Sequence, residues 1–177
     1  ADQMLDMGFI HDIKKIANLL PDRRQNLMFT ATFSNPFRKL AKEMADKAIE
    51  ISVTSDGETG ENIEHYCHPV DKSRKAELLI ELIETQDWDQ ALVFTRTKHG
   101  ADRLQKQLEK VEISAKAIHG NKTQNNRMKA LDAFKNNRVK ILVATDVAAR
   151  GIDIKKMSQV INFDVPTVAK DYIHRIG

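Results

Sequence analysis

The stretch KILVATDVAARGID, residues 140–153, is the most informative part of the chain, because an apolar run gives way to polar and charged side chains. Residues 140–143 are typical of a short buried strand, and parallel sheets place their ligands in the crevice beyond the carboxyl ends of such strands. The stretch therefore predicts an α/β fold with a phosphate or sugar site at a strand end. The alternative is an ordinary strand-to-helix turn with a solvated Arg150 and Asp153.

The polar residues of this stretch have the chemistry that such a site needs. Thr145 can donate a hydrogen bond to a phosphate, Asp146 can cap the following helix, and Asp153 can accept from a sugar hydroxyl. Gly151 has no Cβ, so a ligand or a neighbouring backbone can approach it closely. These residues are candidates for contacts with phosphate and sugar groups.

The composition is that of a globular protein with nearly balanced charge. The chain has 177 residues, 28 of them basic and 25 acidic, which gives a formal net charge of +3. A nucleic-acid partner would therefore have to meet a local basic surface. The single Cys67 cannot form an internal disulfide, which favours a reducing compartment. Because residues 1–10 are unlike a signal peptide and no apolar run approaches the roughly 20 residues of a membrane span, we expect a cytoplasmic protein with no membrane partner.

Short apolar runs alternate with longer amphipathic stretches, which is typical of a parallel sheet covered by helices. Thr97 and Thr123 are placed to cap two of the predicted helices, and Pro36 suits a first helical turn. The predicted strands span residues 25–30, 49–53, 63–68, 91–95, 114–118, 140–144 and 159–162. The predicted helices span residues 10–20, 36–48, 73–85, 98–111, 124–136 and 167–176.

A polar, glycine-bearing stretch at residues 55–61 is predicted to be an interdomain linker. The segment 1–54 holds only two of the predicted strands, too few for an independent sheet, so we expect the carboxyl-terminal part of an incomplete domain. Residues 62–177 are expected to form a second domain that stops on a helix. Both ends of the chain therefore suggest a fragment of a longer protein.

A series of short motifs runs along essentially the whole chain. Ala1-Asp2 is followed by QMLDMGF at residues 3–9. The later motifs are Thr30-Ala31-Thr32, Val93-Phe94-Thr95-Arg96-Thr97, Ile118-His119-Gly120 with Gln124 and Arg127, residues 144–153, and His174-Arg175-Ile176-Gly177. Their order and spacing resemble those of DEAD-box ATP-dependent RNA helicases of superfamily 2, from the end of the DEAD box to the first half of motif VI. The runs FTRTKHGA at 94–101 and HGNK at 119–122 look most like the bacterial RhlE-type group.

The resemblance implies a RecA-like parallel sheet flanked by helices, the helicase C-terminal domain, preceded by the tail of a first RecA-like domain. Motors of this kind clamp ATP with Mg²⁺ and single-stranded RNA between two domains, and they separate duplex RNA locally by bending the bound strand. Their contacts run mainly to phosphates and 2′-hydroxyls, which gives little sequence preference and a marked salt dependence. The implied protein is a monomer that needs the missing portion of its first domain.

Site residues follow from the match to the family's motifs. Asp153 would touch the nucleotide ribose. Thr30 and Thr32 would hydrogen-bond Asp2, and His174 would couple to the same residues, linking nucleotide state to domain closure. A polar strand terminus explains both threonines equally well if Asp2 lies far away. RNA backbone contacts would come from Arg96, Thr97, Gly120, Gln124, Arg127, Thr145 and Gly151.

Gln124 and Arg127 suit an anion on physical grounds as well. They are three residues apart, so they share one helix face just after the turn 120–123, where backbone donors and the helix dipole favour an anion. A phosphodiester fits this position, and a solvated helix end is the alternative. Asn121 departs from the Asp that the wider family more often has beside that glycine.

Other chemistries find less support in the sequence. His65 and Cys67 would face one side of a strand and His68 the other, so they could not all reach one metal ion. The turn 120–123 is no P-loop, because Asn121 stands where a glycine must precede the lysine. No metal site is therefore predicted within the chain.

The resemblance also identifies parts that these 177 residues do not contain. The Walker A loop and the acidic residues that hold Mg²⁺ would precede residue 1, and the arginine fingers would follow Gly177. We therefore expect the parent protein to be an ATP hydrolase and the 177 residues alone to be inactive. Two alternatives stay open: a non-catalytic RNA-binding module, and the second domain of a helicase that acts on DNA.

Overall fold

The computed structural model describes residues 2–30, 33–45, 48–52, 63–149 and 157–176. The chain divides into two compact units, residues 1–57 and 58–177. The predicted linker at 55–61 lies outside the described residues, so the boundaries 1–54 and 62–177 stay predictions. Within the described residues, no helix combines the length and the apolar character needed to cross a membrane.

The described part of the first unit is helical. Its helices are α1 (Asp2–Asp6), α2 (Ile10–Asn18) and α3 (Asn35–Met44). The hydroxyl of Ser34 accepts the backbone N–H of Phe37 at 3.4 Å, so the start of α3 is capped, and Pro36 lies in its first turn as predicted. Phe37 and Leu40 are the residues that α3 buries.

Three of the predicted strands are wrong. Residues 25–30, 49–52 and 63–68 form no strand, and residue 53 lies outside the described residues. Leu27 is 70% exposed and Ile49 is 88% exposed, although short apolar runs predict a strand at both places. A strand exists only where a neighbouring strand accepts its hydrogen bonds, and the described residues offer none to these segments.

The second unit is a parallel sheet covered by helices. Its strands are β1 (Ala91–Phe94), β2 (Ala115–Ile118), β3 (Ile141–Ala144) and β4 (Val160–Asn162). They lie in the order β2-β3-β1-β4, and every pair is parallel. The helices are α4 (Lys75–Thr85), α5 (Lys98–Lys110), α6 (Gln124–Lys135), α7 (Asp146–Ala149) and α8 (Ala169–Ile176). The predicted α/β fold is confirmed.

The sheet buries both of its faces. Val93 and Val143 point to one face and pack with Leu104 from α5. Leu142 points to the other face, where it packs with Phe134 from α6. Because every residue of β1 and β3 is buried, polar chemistry is confined to the edges of the sheet and to the loops at the strand ends.

Candidate functional site

The carboxyl ends of the four strands lie along one edge of the sheet, because all strands are parallel. We call the loops at this edge the strand-end rim: residues 95–97 after β1, 119–123 after β2, 145–149 after β3 and 163–165 after β4. Every RNA-contact residue predicted from the sequence and described by the structure belongs to this rim or to the first turn of α6.

Gln124, Arg127 and Thr145 are brought together on the rim by a chain of hydrogen bonds. The Arg127 guanidinium donates to Oε1 of Gln124 and to the carbonyl of Ala148, both at 3.3 Å. The N–H of Ala148 in turn donates to the carbonyl of Thr145 at 2.9 Å, and the Thr145 N–H donates to the carbonyl of Ile118 at 3.3 Å. These hydrogen bonds link the ends of β2 and β3 to the start of α6, and Thr145 itself is 8% exposed.

His119 holds the turn at residues 120–123 in place. Its ring is 2% exposed, Nε2 lies 3.0 Å from Oδ1 of Asp102, and Nδ1 accepts the N–H of Asn121 at 3.3 Å. Because Nδ1 is an acceptor, the neutral ring carries its proton on Nε2 and donates it to the carboxylate. Lys98 adds a bond from Nζ to Oδ1 of Asn121 at 2.7 Å, so α5 fixes the turn from two sides.

Asp102 is the charged anchor of this arrangement. Burial would raise the pKa of its carboxyl group, but hydrogen bonds from His119 and Lys122 outweigh burial and leave the pKa below its ordinary value. The Nζ of Lys122 lies 2.9 Å from Asp102 Oδ1. Asp102 is therefore ionised at neutral pH, and it orients His119 through a charge-assisted hydrogen bond.

Arg175 is a site residue that the sequence analysis missed. Its guanidinium forms a bidentate pair with the Asp146 carboxylate: Nε donates to Oδ1 at 2.6 Å, and Nη2 donates to Oδ2 at 2.8 Å. Its Nη1 donates to Oδ1 of Asn162 and to the carbonyl of Asp164, both at 2.7 Å. The group also lies over the ring of Phe94, 4.9 Å from its centroid. One buried side chain from α8 thus joins the ends of β1 and β4 and the start of α7.

The sequence offered only a weak signal for Arg175. It follows His174 in a motif quoted above, but nothing local identifies Asp146, 29 residues earlier, as its partner. The sequence suggests Asp146 as a helix cap, but in the structure both of its carboxylate oxygens accept hydrogen bonds from Arg175. A bidentate pair of this kind is specific to the planar fork of arginine.

Asp164 positions the loop after β1. Its Oδ2 accepts the backbone N–H of Arg96 at 3.0 Å, and its Oδ1 lies 3.1 Å from Nζ of Lys75. The Arg96 guanidinium reaches the carbonyl of Val165 at 3.4 Å from an exposed position. Thr97 caps α5 as predicted, with its Oγ1 accepting the N–H of Gly100 at 2.9 Å. Arg96 and Thr97 therefore stand on the rim next to the end of β4.

Acid is expected to weaken the second unit through Asp164. Burial would raise the pKa of this carboxyl group, but the Arg96 N–H and Lys75 outweigh burial and hold the pKa below its ordinary value. The resulting stabilisation is present above the unfolded pKa and is lost as the pH falls through the folded pKa. Asp164→Asn should therefore lower the free energy of unfolding by about 1 kcal/mol at neutral pH, with the deficit shrinking at acidic pH.

Urea unfolding of both proteins between neutral pH and about pH 3 measures this difference. Asp132→Asn is the control, because Asp132 is exposed on α6. A deficit of Asp164→Asn that stays constant over the whole range would contradict the assignment.

The residues predicted for nucleotide coupling belong to different parts of the chain. Asp2, which is 4% exposed, lies in α1, and Thr30 ends the segment 25–30, so both are in the first unit. His174 lies in α8, and its Nε2 is buried without a hydrogen-bond partner among the residues that the structure describes. Thr32, Gly151 and Asp153 lie outside the described residues, so their predicted contacts stay predictions.

His65, before α4, contacts a protein group. Nδ1 of His65 lies 2.6 Å from the hydroxyl of Tyr172, and Cys67 is exposed. Within the described ranges, no group of three histidine, cysteine or acidic residues is arranged to hold a metal ion.

Comparison with known proteins finds one well-defined group. Residues 74–177 match the helicase conserved C-terminal domain family. The whole chain is 40% identical to ATP-dependent RNA helicase DeaD of Haemophilus influenzae, of which it covers 29%. It is 41% identical to DEAD-box ATP-dependent RNA helicase CshA of Bacillus cereus, of which it covers 34%. The chain therefore spans about a third of the length of these relatives.

Solved structures agree with the sequence comparison. The chain superposes on S. cerevisiae Dbp5 bound to RNA and ADP BeF3 with a TM-score of 0.86 and 31% identity, over 99% of this chain and 47% of that one. It superposes on a DEAD box protein from Methanococcus jannaschii with a TM-score of 0.63 and 34% identity, over 99% of this chain and 47% of that one.

Proposed function

The chain belongs to the bacterial DEAD-box ATP-dependent RNA helicase family and carries its helicase C-terminal domain, and from this we propose that it binds the backbone of single-stranded RNA along the strand-end rim. In the whole protein, this binding couples ATP hydrolysis to local unwinding of duplex RNA. The RhlE-type placement within the family stays a prediction, as do a monomeric state and a cytoplasmic location.

The observation that carries the proposal is the hydrogen-bonded cluster of Gln124, Arg127 and Thr145. Arg127 offers a partly exposed guanidinium beside the amino-terminal end of α6, where backbone dipoles also favour an anion. Phosphodiester groups are the anions that such a combination recognises. Arg96 and Thr97, on the same rim, extend the surface to the end of β1.

Gly120 supports the same proposal through packing. A Cβ built at this position would meet Lys98 side-chain atoms no closer than 3.6 Å, which is ordinary van der Waals contact. The described neighbours therefore do not require glycine here. We propose that the missing side chain leaves room for an RNA backbone, as Gly151 would in its own loop.

The proposed nucleotide is ATP with Mg²⁺, in keeping with the names of the relatives and with the ADP BeF3 in the Dbp5 complex. Asp153 would hold the ribose, and Asp2, Thr30, Thr32 and His174 would couple nucleotide state to domain closure. As the resemblance to the family implies, the Mg²⁺ ligands are proposed to lie outside this chain.

A binding titration tests the proposal. A fluorescent single-stranded RNA and a DNA of the same sequence are titrated with the 177-residue chain at several salt concentrations. We expect the logarithm of the affinity to fall linearly with the logarithm of salt, and RNA to bind more tightly than DNA because of 2′-hydroxyl contacts. Equal affinity for DNA would favour a DNA-directed helicase, and binding that is insensitive to salt would contradict a phosphate site.

ATP turnover by the 177-residue chain is expected to be no faster than background, with or without RNA. The sequence contains neither a Walker A loop nor the family's arginine fingers, and a finger alone contributes about 10³- to 10⁵-fold in rate. Phosphate release measured with saturating RNA checks this expectation. RNA-stimulated turnover that persists through repeated purification would contradict it, and it would show that these residues contain a complete catalytic site.

A further inference from the structure

A pocket of about 320 Å³ opens at the β2 edge of the sheet, and it meets the strand-end rim at Lys122. Its polar lining comes from Gln105 of α5, Lys116 of β2, Lys122 of the turn, and Asn126 and Lys129 of α6. The remainder of the lining is alanine. We call it the β2-edge pocket. Because three lysines and no carboxylate line it, an anion is the ligand that its chemistry favours.

The β2-edge pocket keeps a net positive charge after the ion pairs of its lysines are counted. Lys116 pairs with Glu109 at 3.4 Å, and Lys122 pairs with Asp102 at 2.9 Å. Lys129 has no ion-pair partner within the described part of the chain, and its side chain is exposed. A lysine at an edge strand such as β2 is explained by protection against edge pairing, but that explanation does not extend to Lys129 on a helix.

An added peptide strand is a poor occupant of this edge. The N–H of Ala117, which an incoming strand would need, already donates to Oε1 of Gln105 at 3.0 Å. Gln105 thus occupies the free hydrogen-bonding position of β2, so the edge is closed to strand addition at this residue. The remaining feature that a partner can use is the cluster of ammonium groups.

The pocket is continuous with the proposed RNA surface through α6. Lys122 lies in the turn that precedes Gln124, and Asn126 adjoins Arg127 in the sequence while facing the pocket. We propose that the β2-edge pocket binds a phosphate group of an RNA strand that continues past Gln124 and Arg127. This inference rests on the proposed function, and it extends the RNA footprint around α6 to the outer edge of the sheet.

A length series of single-stranded RNA tests the inference with the double variant Lys116→Gln/Lys129→Gln. Lys122 is left intact because it contacts Asp102 and therefore supports the turn. The control is Lys110→Gln/Lys135→Gln, which removes the same charge from exposed positions outside the pocket. Thermal melts of all proteins establish that the variants keep their fold.

We expect the pocket variant to bind long RNA about tenfold more weakly than the control does, with short RNA bound equally by both. Its salt slope on long RNA should be shallower by about 0.7 for each phosphate group that the variant no longer neutralises. Equal weakening at every length, or no difference from the control, would overturn the inference and leave the proposed function intact. The inference would also be overturned if pyrophosphate binds the pocket while RNA affinity shows no dependence on RNA length. That result would assign the pocket to a free anion.

Failure of the proposed function gives a different result. In that case the unmodified chain binds neither short nor long RNA, and the inference falls with it. Arg127→Gln separates the two further, because it should weaken short and long RNA alike.

Discussion

Replacing Arg175 with leucine is expected to lower the free energy of unfolding of the second unit by about 3 to 5 kcal/mol. The Arg175 side chain is 3% exposed and that of Asp146 is 29% exposed, so the change leaves a carboxylate largely withdrawn from water without its partner. It also removes the donors to Asn162 and to the Asp164 carbonyl, and the cation over the ring of Phe94. Urea unfolding monitored by circular dichroism measures the loss.

Two further variants separate the effect of the ion pair from that of packing. Arg175→Leu/Asp146→Leu removes both charges, so it should be more stable than Arg175→Leu alone, because no unpaired carboxylate remains. Arg138→Leu, an exposed arginine after α6, should change stability by no more than about 0.5 kcal/mol. If Arg175→Leu costs as little as Arg138→Leu, the guanidinium does not hold the strand ends together.

Replacing Arg127 with glutamine is expected to weaken RNA binding by about 10- to 100-fold, the range for losing a hydrogen bond to a charged group. The loss should be uniform across RNA sequences, because the contact is to the backbone, and the salt slope should become shallower by about 0.7. Affinity measured by fluorescence anisotropy over a salt series gives both quantities. The change also removes the bonds to Gln124 and the Ala148 carbonyl, so stability is measured in parallel.

Two control variants test Arg127: one keeps its positive charge, and the other removes a positive charge at a different position. Arg127→Lys keeps the charge but loses the planar fork, so its affinity should fall between those of the unmodified chain and Arg127→Gln. Arg138→Gln removes the same charge from an exposed position beyond the end of α6 and should leave the affinity within about twofold of the unmodified chain. Equal affinities for Arg127→Gln and Arg138→Gln would exclude Arg127 as a phosphate ligand.

The sequence predicts the strands of the second unit well because each is a short apolar run with a partner. β1, β2, β3 and β4 lie within the predicted ranges to within one residue at either end. The segments 25–30 and 63–68 have comparable local patterns but form no strand. The difference lies partly in the neighbouring strand, which only the segments of the second unit's sheet have among the described residues and which no window of sequence contains.

In the candidate site as well, the sequence predicts the local contacts but not the long-range ones. Gln124 and Arg127 lie on one helix face three residues apart, so their contact follows from helix geometry and could be predicted. Lys75 and Asp164 are 89 residues apart, and their pairing depends on the order of strands in the sheet. The sequence therefore identifies the residues that face a ligand more readily than the long-range ion pairs that hold them.

The contact between His119 and Asn121 has a consequence for which residues position 121 can accept during evolution. His119 Nδ1 binds the main-chain N–H of Asn121, which every residue except proline provides. Lys98 binds Oδ1 of Asn121, an atom that asparagine and aspartate share. An exchange between these two residues preserves both interactions, so asparagine and aspartate are interchangeable solutions for the same turn.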